Sequence, residues 1–191
     1  EKKELDYTEA EKKLRLTTST LEAVCRDGIV FVKEETVYRN PAKGIHVAEK
    51  PQLNEEQHLA VETVWSEYSE GKRGRYLLFG VTGSGKTEVY LELIERVIEE
   101  GKQAIMLIPE ISLTFQTVRR FYERFGERVS VLHSRLSAGE RYDQYVRARK
   151  GEINVMIGPR SALFTPFENL GLILIDEEQE GAYKSEGTPK Y

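Results

Sequence analysis

The chain of 191 residues holds one cysteine, Cys25. An internal disulfide is therefore excluded, and Cys25 has no Cys or His partners at zinc-ligand spacing. No apolar run approaches the roughly 20 residues that span a bilayer, and no signal-like segment opens the chain. Cytoplasm is the expected compartment. A large excess of one charge is also missing. The 28 Lys and Arg stand against 32 Asp and Glu, a net charge of −4. That balance argues against nonspecific nucleic-acid binding by the whole surface. Neither repeats nor low-complexity tracts occur. What is present is an ordinary apolar share of 39 %, enough for a packed core, and a high charged share of 31 %, which fits a heat-adapted source. The length suits one domain or one and a half.

The charge is unevenly placed. Nine Lys or Arg face four acids between Arg119 and Lys150, while acids concentrate from Glu168 to Glu186. Such a split suits a polyanion on one surface and a metal on another, or simply two solvated helix faces. The opening EKKELDYTEAEKK looks like a cut rather than a native start. YTEAEKKLRLTTSTLEAVCRDGIV reads as helix, turn, helix, with Thr17, Thr18 and Ser19 as N-cap candidates, an apolar face of Leu21, Val24 and Cys25, and Gly28 as terminator. IVFVKEETVYRN alternates around Lys33, Glu34 and Glu35 as a short hairpin would. Helix-turn-helix plus hairpin is a winged-helix pattern, expected over 1–42. Pro41, Gly44 and Pro51 mark a boundary near 41–52, with 43–52 as the linker.

From residue 53 the rhythm changes. Asn54 can cap a helix whose Val61, Val64, Trp65 and Tyr68 share a face, and Gly71 can end it. Five apolar runs follow: Tyr76–Phe79, Ala104–Ile108, Val129–Leu132, Asn154–Ile157 and Leu172–Ile175. Helices are expected over Thr87–Glu100, Leu113–Phe125 and Ala138–Lys150. Continuous apolar strands alternating with helices predict an α/β domain over 53–191, a parallel sheet with helices on both faces.

Gly80-Val81-Thr82-Gly83-Ser84-Gly85-Lys86-Thr87 matches G-x-x-x-x-G-K-[ST] between an expected strand and an expected helix. Glycines let the backbone wrap phosphates with inward N–H groups, and the helix N-terminus adds positive potential. Lys86 can reach the β- and γ-phosphates of ATP, and Thr87 can place its hydroxyl on Mg²⁺. The alternative is a glycine-rich turn that binds nothing. Leu172-Ile173-Leu174-Ile175-Asp176-Glu177-Glu178-Gln179 supplies the missing partners. Asp176, at the end of a strand expected to be central and buried on both faces, suits a Mg²⁺ partner. Glu177 suits a base or orienter for the attacking water, a need of hydrolysis rather than of small-molecule phosphoryl transfer. Gln57, 23 residues before Gly80, can read an adenine edge, or serve locally with Asn54 as a capping-box variant.

The stretches LNEEQ, GVTGSGKTEVYL, LIPEISLT, Leu132–Ser134, IGPRSALFTPFENLG and LILIDEE together resemble the first motor lobe of the PriA family of replication-restart DNA helicases, in helicase superfamily two. The resemblance is strong over about three quarters of the chain. It implies a RecA-like lobe behind a winged-helix module, and an ATP-driven motor travelling 3′→5′ on DNA at stalled or abandoned forks. It implies a bacterial, nucleoid-associated monomer that works with other primosome proteins and single-strand-binding protein. It assigns single-strand contacts to Pro109, Thr114, Gly158, Arg160 and Ser161. Loops after strands, with phosphate-binding residue types, agree with that. Pro109 ending a strand and Thr114 capping a helix are the local alternatives.

Two positions depart from the family. Gln179 stands where the family has His after Asp-Glu-Glu, a residue linking nucleotide state to DNA contact. Gln hydrogen-bonds but does not titrate near neutral pH. Pro159 stands where Thr is more expected, stiffening its loop. By the same resemblance, the later Ser-Ala-Thr stretch, the second lobe with its arginine finger, the zinc-binding cysteines and an N-terminal DNA-end-binding domain lie outside this chain. A fragment with negligible ATPase is expected, with zinc held elsewhere in the full-length protein. Competing readings are another superfamily-two motor, RecG-like or a DNA-uptake helicase, and a winged-helix DNA-binding regulator with a nucleotide-sensing P-loop domain.

Overall fold

The computed structural model describes residues 17–28, 30–31, 50–81 and 83–183. The chain divides into two units, 1–37 and 38–191. In the first, helix α1 spans Thr18–Arg26. Thr17 is its N-cap, its side chain accepting from the Thr20 N–H, and Arg26 places a cation in the last turn. Gly28 follows at φ +71°. Most of the expected hairpin and the earlier helix lie outside the described residues, as do most of the linker and Thr82.

The second unit opens with α2, Glu55–Ser69. Asn54 and Gln57 form a reciprocal capping box, so two otherwise orphan N–H groups are satisfied. Val61 is fully buried, and Trp65 stacks on Tyr68 at 5.0 Å between ring centroids. Gly71, at φ +79°, carries the chain out of the helix.

Helix α3 (Lys86–Glu99), strand β1 (Gln103–Leu107), helix α4 (Phe115–Phe125), strand β2 (Val129–Val131), helix α5 (Ala138–Arg149), and strands β3 (Val155–Gly158) and β4 (Leu170–Ile175) follow. All pairings are parallel, in the order β2-β3-β1-β4. Alternation decides which side chains meet which layer. Ala104, Met106, Val155 and Ile157 pack with Ile94 and Tyr90 of α3 and Phe121, Tyr122 and Phe125 of α4. Ile105, Leu107 and Met156 face the opposite layer, with Ala148 of α5 and Ala162. Helices thus cover both faces, as the apolar runs predict. Gly158 is glycine for lack of room, since a Cβ there would stand 2.7 Å from the Leu132 carbonyl oxygen.

Two expectations are corrected. Tyr76–Phe79 is not a strand: it lies outside the four-stranded sheet, with Leu77 and Phe79 79 % and 94 % exposed. Its apolar composition is that of a strand, but strand character also needs a hydrogen-bonded neighbour, and it has none among the described residues. Consequently β4 is not a central strand. Among the described residues it pairs only with β1, and Ile173 and Ile175 stay exposed while Leu172 and Leu174 pack inward. Among the described residues no helix is long and apolar enough to cross a membrane.

Candidate nucleotide site

The glycine loop closes onto α3 through backbone that side chains disfavour. Gly83 and Gly85 both sit at φ +83°, and Gly85 is the N-cap of α3. A Cβ on Gly85 would also collide with the Gln57 side-chain amide. That amide approaches the Ser84 and Gly85 carbonyls at 3.4 and 3.5 Å, while the Gln57 Oε1 accepts from the Asn54 N–H at 3.0 Å. The capping-box role of Gln57 is therefore real, and the same side chain ties α2 to the glycine loop.

Lys86, the first residue of α3, folds its ammonium back over the loop. Its Nζ donates to the Gly80 carbonyl at 2.6 Å and the Val81 carbonyl at 3.1 Å. Two carbonyls are weak partners for a full charge, so an anion in the loop can displace them. Thr87 follows in the first turn of α3, half-exposed.

Asp176 is placed by β4. Its backbone N–H donates to the Leu107 carbonyl at 2.9 Å, continuing the ladder one residue past the strand. Its carboxylate lies between the sheet and α3, and Tyr90 donates to Oδ1 over a long 3.5 Å. Burial raises the Asp176 pKa above the ordinary carboxylate value. The adjacent Glu177 charge adds to the rise, while the Glu177 N–H, the Lys86 charge and Tyr90 oppose it. The Tyr90 phenol is pushed up to about 12 by burial and by the Asp176 charge. Lys86 and Asp176, 90 residues apart in sequence, thus share one electrostatic site. Among the described residues no cluster of three or more His, Cys, Asp or Glu could hold a metal. A Mg²⁺ that keeps waters and phosphate oxygens needs only one or two protein groups, and Thr87 with Asp176 would provide them.

Glu177 departs from its neighbour. Its backbone is left-handed, φ +51°, and its Oε2 accepts from Ser112 Oγ at 2.8 Å. The chain then turns, Glu180 N–H donating to the Glu177 carbonyl at 2.8 Å, with Gln179 exposed on the turn. Tyr183 reaches back to donate to the Asp176 carbonyl oxygen at 3.0 Å.

The expected strand-contact residues fall on two adjacent loops, at the carboxyl ends of β1 and β3. Pro109 and Gly158 are buried, Thr114 and Ser161 exposed, and Arg160 half-exposed beyond Pro159. Thr114 caps α4, accepting from the Thr117 N–H. Much of the basic excess is paired within the fold: Arg119 with Glu123, Arg120 with Glu88, Arg124 with Glu92 and Glu95, and Arg147 with Glu152. Four participants escaped the sequence reading. Tyr90 carried a signal, four residues after Lys86 and so on the same helix side. Tyr183 follows Asp176 by seven residues without a motif. Ser112 and Glu110, the latter accepting from the Ser134 N–H, act across distances in sequence that no local pattern reveals.

A family described as "Type III restriction enzyme, res subunit" matches residues 50–188. The chain belongs to this family. Curated relatives point the same way over more of the chain. It is 46 % identical over 182 residues to a protein of Bacillus subtilis (strain 168) named replication restart protein PriA, covering 94 % of this chain and 23 % of that protein. Proteins of the same name match at 41 % identity in Chlamydia muridarum, over 99 % of this chain and 25 % of the relative, and at 42 % in Haemophilus influenzae, over 84 % and 23 %. The chain therefore spans about a quarter of the length of these relatives. The matches bear out the resemblance read from PEISLT and RSALFTPFENLG.

Proposed function

We propose that the chain is the ATP-binding lobe of a 3′→5′ DNA helicase that acts at stalled or abandoned replication forks, so that replication restarts. One observation carries the reading: the Lys86 ammonium closes over the glycine loop and lies within electrostatic reach of the Asp176 carboxylate, in a chain 46 % identical to a replication restart protein. Lys86 exchanges the Gly80 and Val81 carbonyls for β- and γ-phosphate oxygens. The N–H groups of the loop and of the first turn of α3 hold the same phosphates. Thr87 and Asp176 would hold Mg²⁺, and the fit rests on the state of Asp176: burial disfavours its charge, and the Glu177 N–H, the Lys86 charge and a long hydrogen bond from Tyr90 offset only part of that. When bound, Mg²⁺ neutralises charge on the phosphate oxygens. Glu177 orients the attacking water, and Gln57 turns its amide toward the adenine edge.

In this reading the lobe is RecA-like, the first unit is a winged-helix module, and Pro109, Thr114, Gly158, Arg160 and Ser161 hold the backbone of a single strand. Gln179 links nucleotide state to that strand without titrating. Forked DNA, other primosome proteins and single-strand-binding protein are the partners, the protein is a monomer of the bacterial cytoplasm, and zinc belongs to other parts of the full-length protein. The test is strand displacement by the full-length protein carrying Lys86→Ala or Glu177→Gln. Both variants are expected to lose unwinding by about 10²-fold or more. Unwinding that survives both changes contradicts the motor reading, and duplex that is bound but never unwound by the wild type supports a regulator instead.

A further inference from the structure

Asp176 and Glu177 are adjacent, yet their carboxylates serve different elements. Asp176 faces Tyr90 of α3 and lies in the field of Lys86. Glu177 faces the loop between β1 and α4, where Ser112 Oγ donates to Oε2 at 2.8 Å. Glu177 is also the one non-glycine among the described residues with a positive φ, +51°. Backbone of that kind persists only when its surroundings hold it, and it clusters at switch regions. The Ser112 loop is itself tightly bound. Its N–H donates to the Pro109 carbonyl at 2.9 Å, and its carbonyl accepts from Thr117 Oγ1 at 3.3 Å. Glu110 fastens the same loop to Ser134, and Thr114 starts α4. The place of the Ser112 hydroxyl therefore reports the conformation of the whole loop.

We propose that Ser112 is a positioning residue that parks the Glu177 carboxylate on the loop side while no strand is bound, and that movement of the 109–114 loop frees it to face the nucleotide. This rests on the reading above, in which Glu177 orients the water and that loop meets the strand. The hydrogen bond is the coupling element: the loop has two arrangements, strand binding favours one of them, and Glu177 follows. Release also lets the Glu177 backbone leave the left-handed region.

The experiment is ATP turnover by the full-length protein, with and without saturating single-stranded DNA, for wild type, Ser112→Ala, Ser112→Thr and Glu177→Gln. Ser112→Ala is expected to raise the DNA-free kcat about 3–10-fold, the weight of one modest hydrogen bond, with KM for ATP unchanged. Stimulation by DNA should shrink correspondingly. Ser112→Thr keeps the hydroxyl and should restore the wild-type ratio, which a general loosening of the loop would not produce. A DNA-free rate that stays at the wild-type level, or falls in step with the DNA-saturated rate, overturns the proposal. Wild-type turnover by Glu177→Gln would instead overturn the water-orienting role itself, so the two failures are distinguishable.

Discussion

Asp176 lies half-buried at the end of β4, where burial raises its pKa and the Lys86 charge offsets only part of the rise. A carboxyl whose folded pKa is raised above its unfolded value binds its proton more tightly when folded. The stability it contributes is thus greatest at low pH and is lost as pH rises through the folded value. Asp176→Asn removes that loss. The variant is expected to melt at a higher temperature than wild type near neutrality, with the gap closing as pH falls toward 3.8, the ordinary aspartate value. Adding Mg²⁺ with a non-hydrolysable ATP analogue should reverse the order, because ligand binding stabilises wild type by mass action and the variant far less. Thermal melts across pH, with and without ligand, check both statements. A variant less stable than wild type at neutral pH would show that the site does not strain this carboxylate. In the proposed reading the residue trades stability for function, as buried active-site groups commonly do.

Helices α3 and α4 are held together by charge as well as by packing. Arg124, its side chain 8 % exposed, bridges Glu92 at 3.1 Å and Glu95 at 2.6 Å. Lys50 closes on the same two carboxylates at 2.7 and 2.9 Å. Removing one member of a buried set weakens the compensation of the rest, and fully breaking a buried pair costs roughly 3–5 kcal/mol. Arg124→Ala is expected to destabilise the lobe by less than that, since Lys50 still holds both carboxylates, measured by chemical denaturation. Burial would raise the Glu95 pKa, but Lys50 and Arg124 together outweigh it and hold the pKa below the ordinary glutamate value of 4.5. A depressed acid contributes stability above its unfolded pKa and loses it as pH falls through the folded one. Acidification below about 4.5 should therefore erode the wild type more than Arg124→Ala, and an equal loss in both would contradict the assignment.

The same elements show what a sequence can and cannot reveal. β1 and β3 were legible because a strand buried on both faces must be apolar throughout. Asn54 and Gln57 were legible because a capping box is local. Tyr76–Phe79 has the same composition as β1, but strand pairing depends on a partner distant in the chain, and composition does not report it. The glycine loop and the Asp-Glu pair could be read because each is contiguous. The tie from Ser112 to Glu177 spans 65 residues and exists only in the fold.

At the scale of the whole molecule, the chain spans about a quarter of the length of its curated relatives. In the proposed reading, the cation that faces charge developing in the transition state comes from the second motor lobe. An arginine finger is worth about 10³–10⁵ in rate, and residues 1–191 alone are expected to turn over ATP at about 10⁻³–10⁻⁵ of the full-length rate. Substantial DNA-stimulated turnover by the isolated chain would show that the lobe is self-sufficient. The central claim is that Lys86, Asp176 and Glu177 form a hydrolytic site that drives movement on DNA. Its most direct test is DNA-stimulated ATP hydrolysis by full-length Glu177→Gln, measured beside nucleotide binding. The account predicts retained ATP binding with turnover reduced about 10²-fold or more. Turnover at the wild-type rate would contradict it.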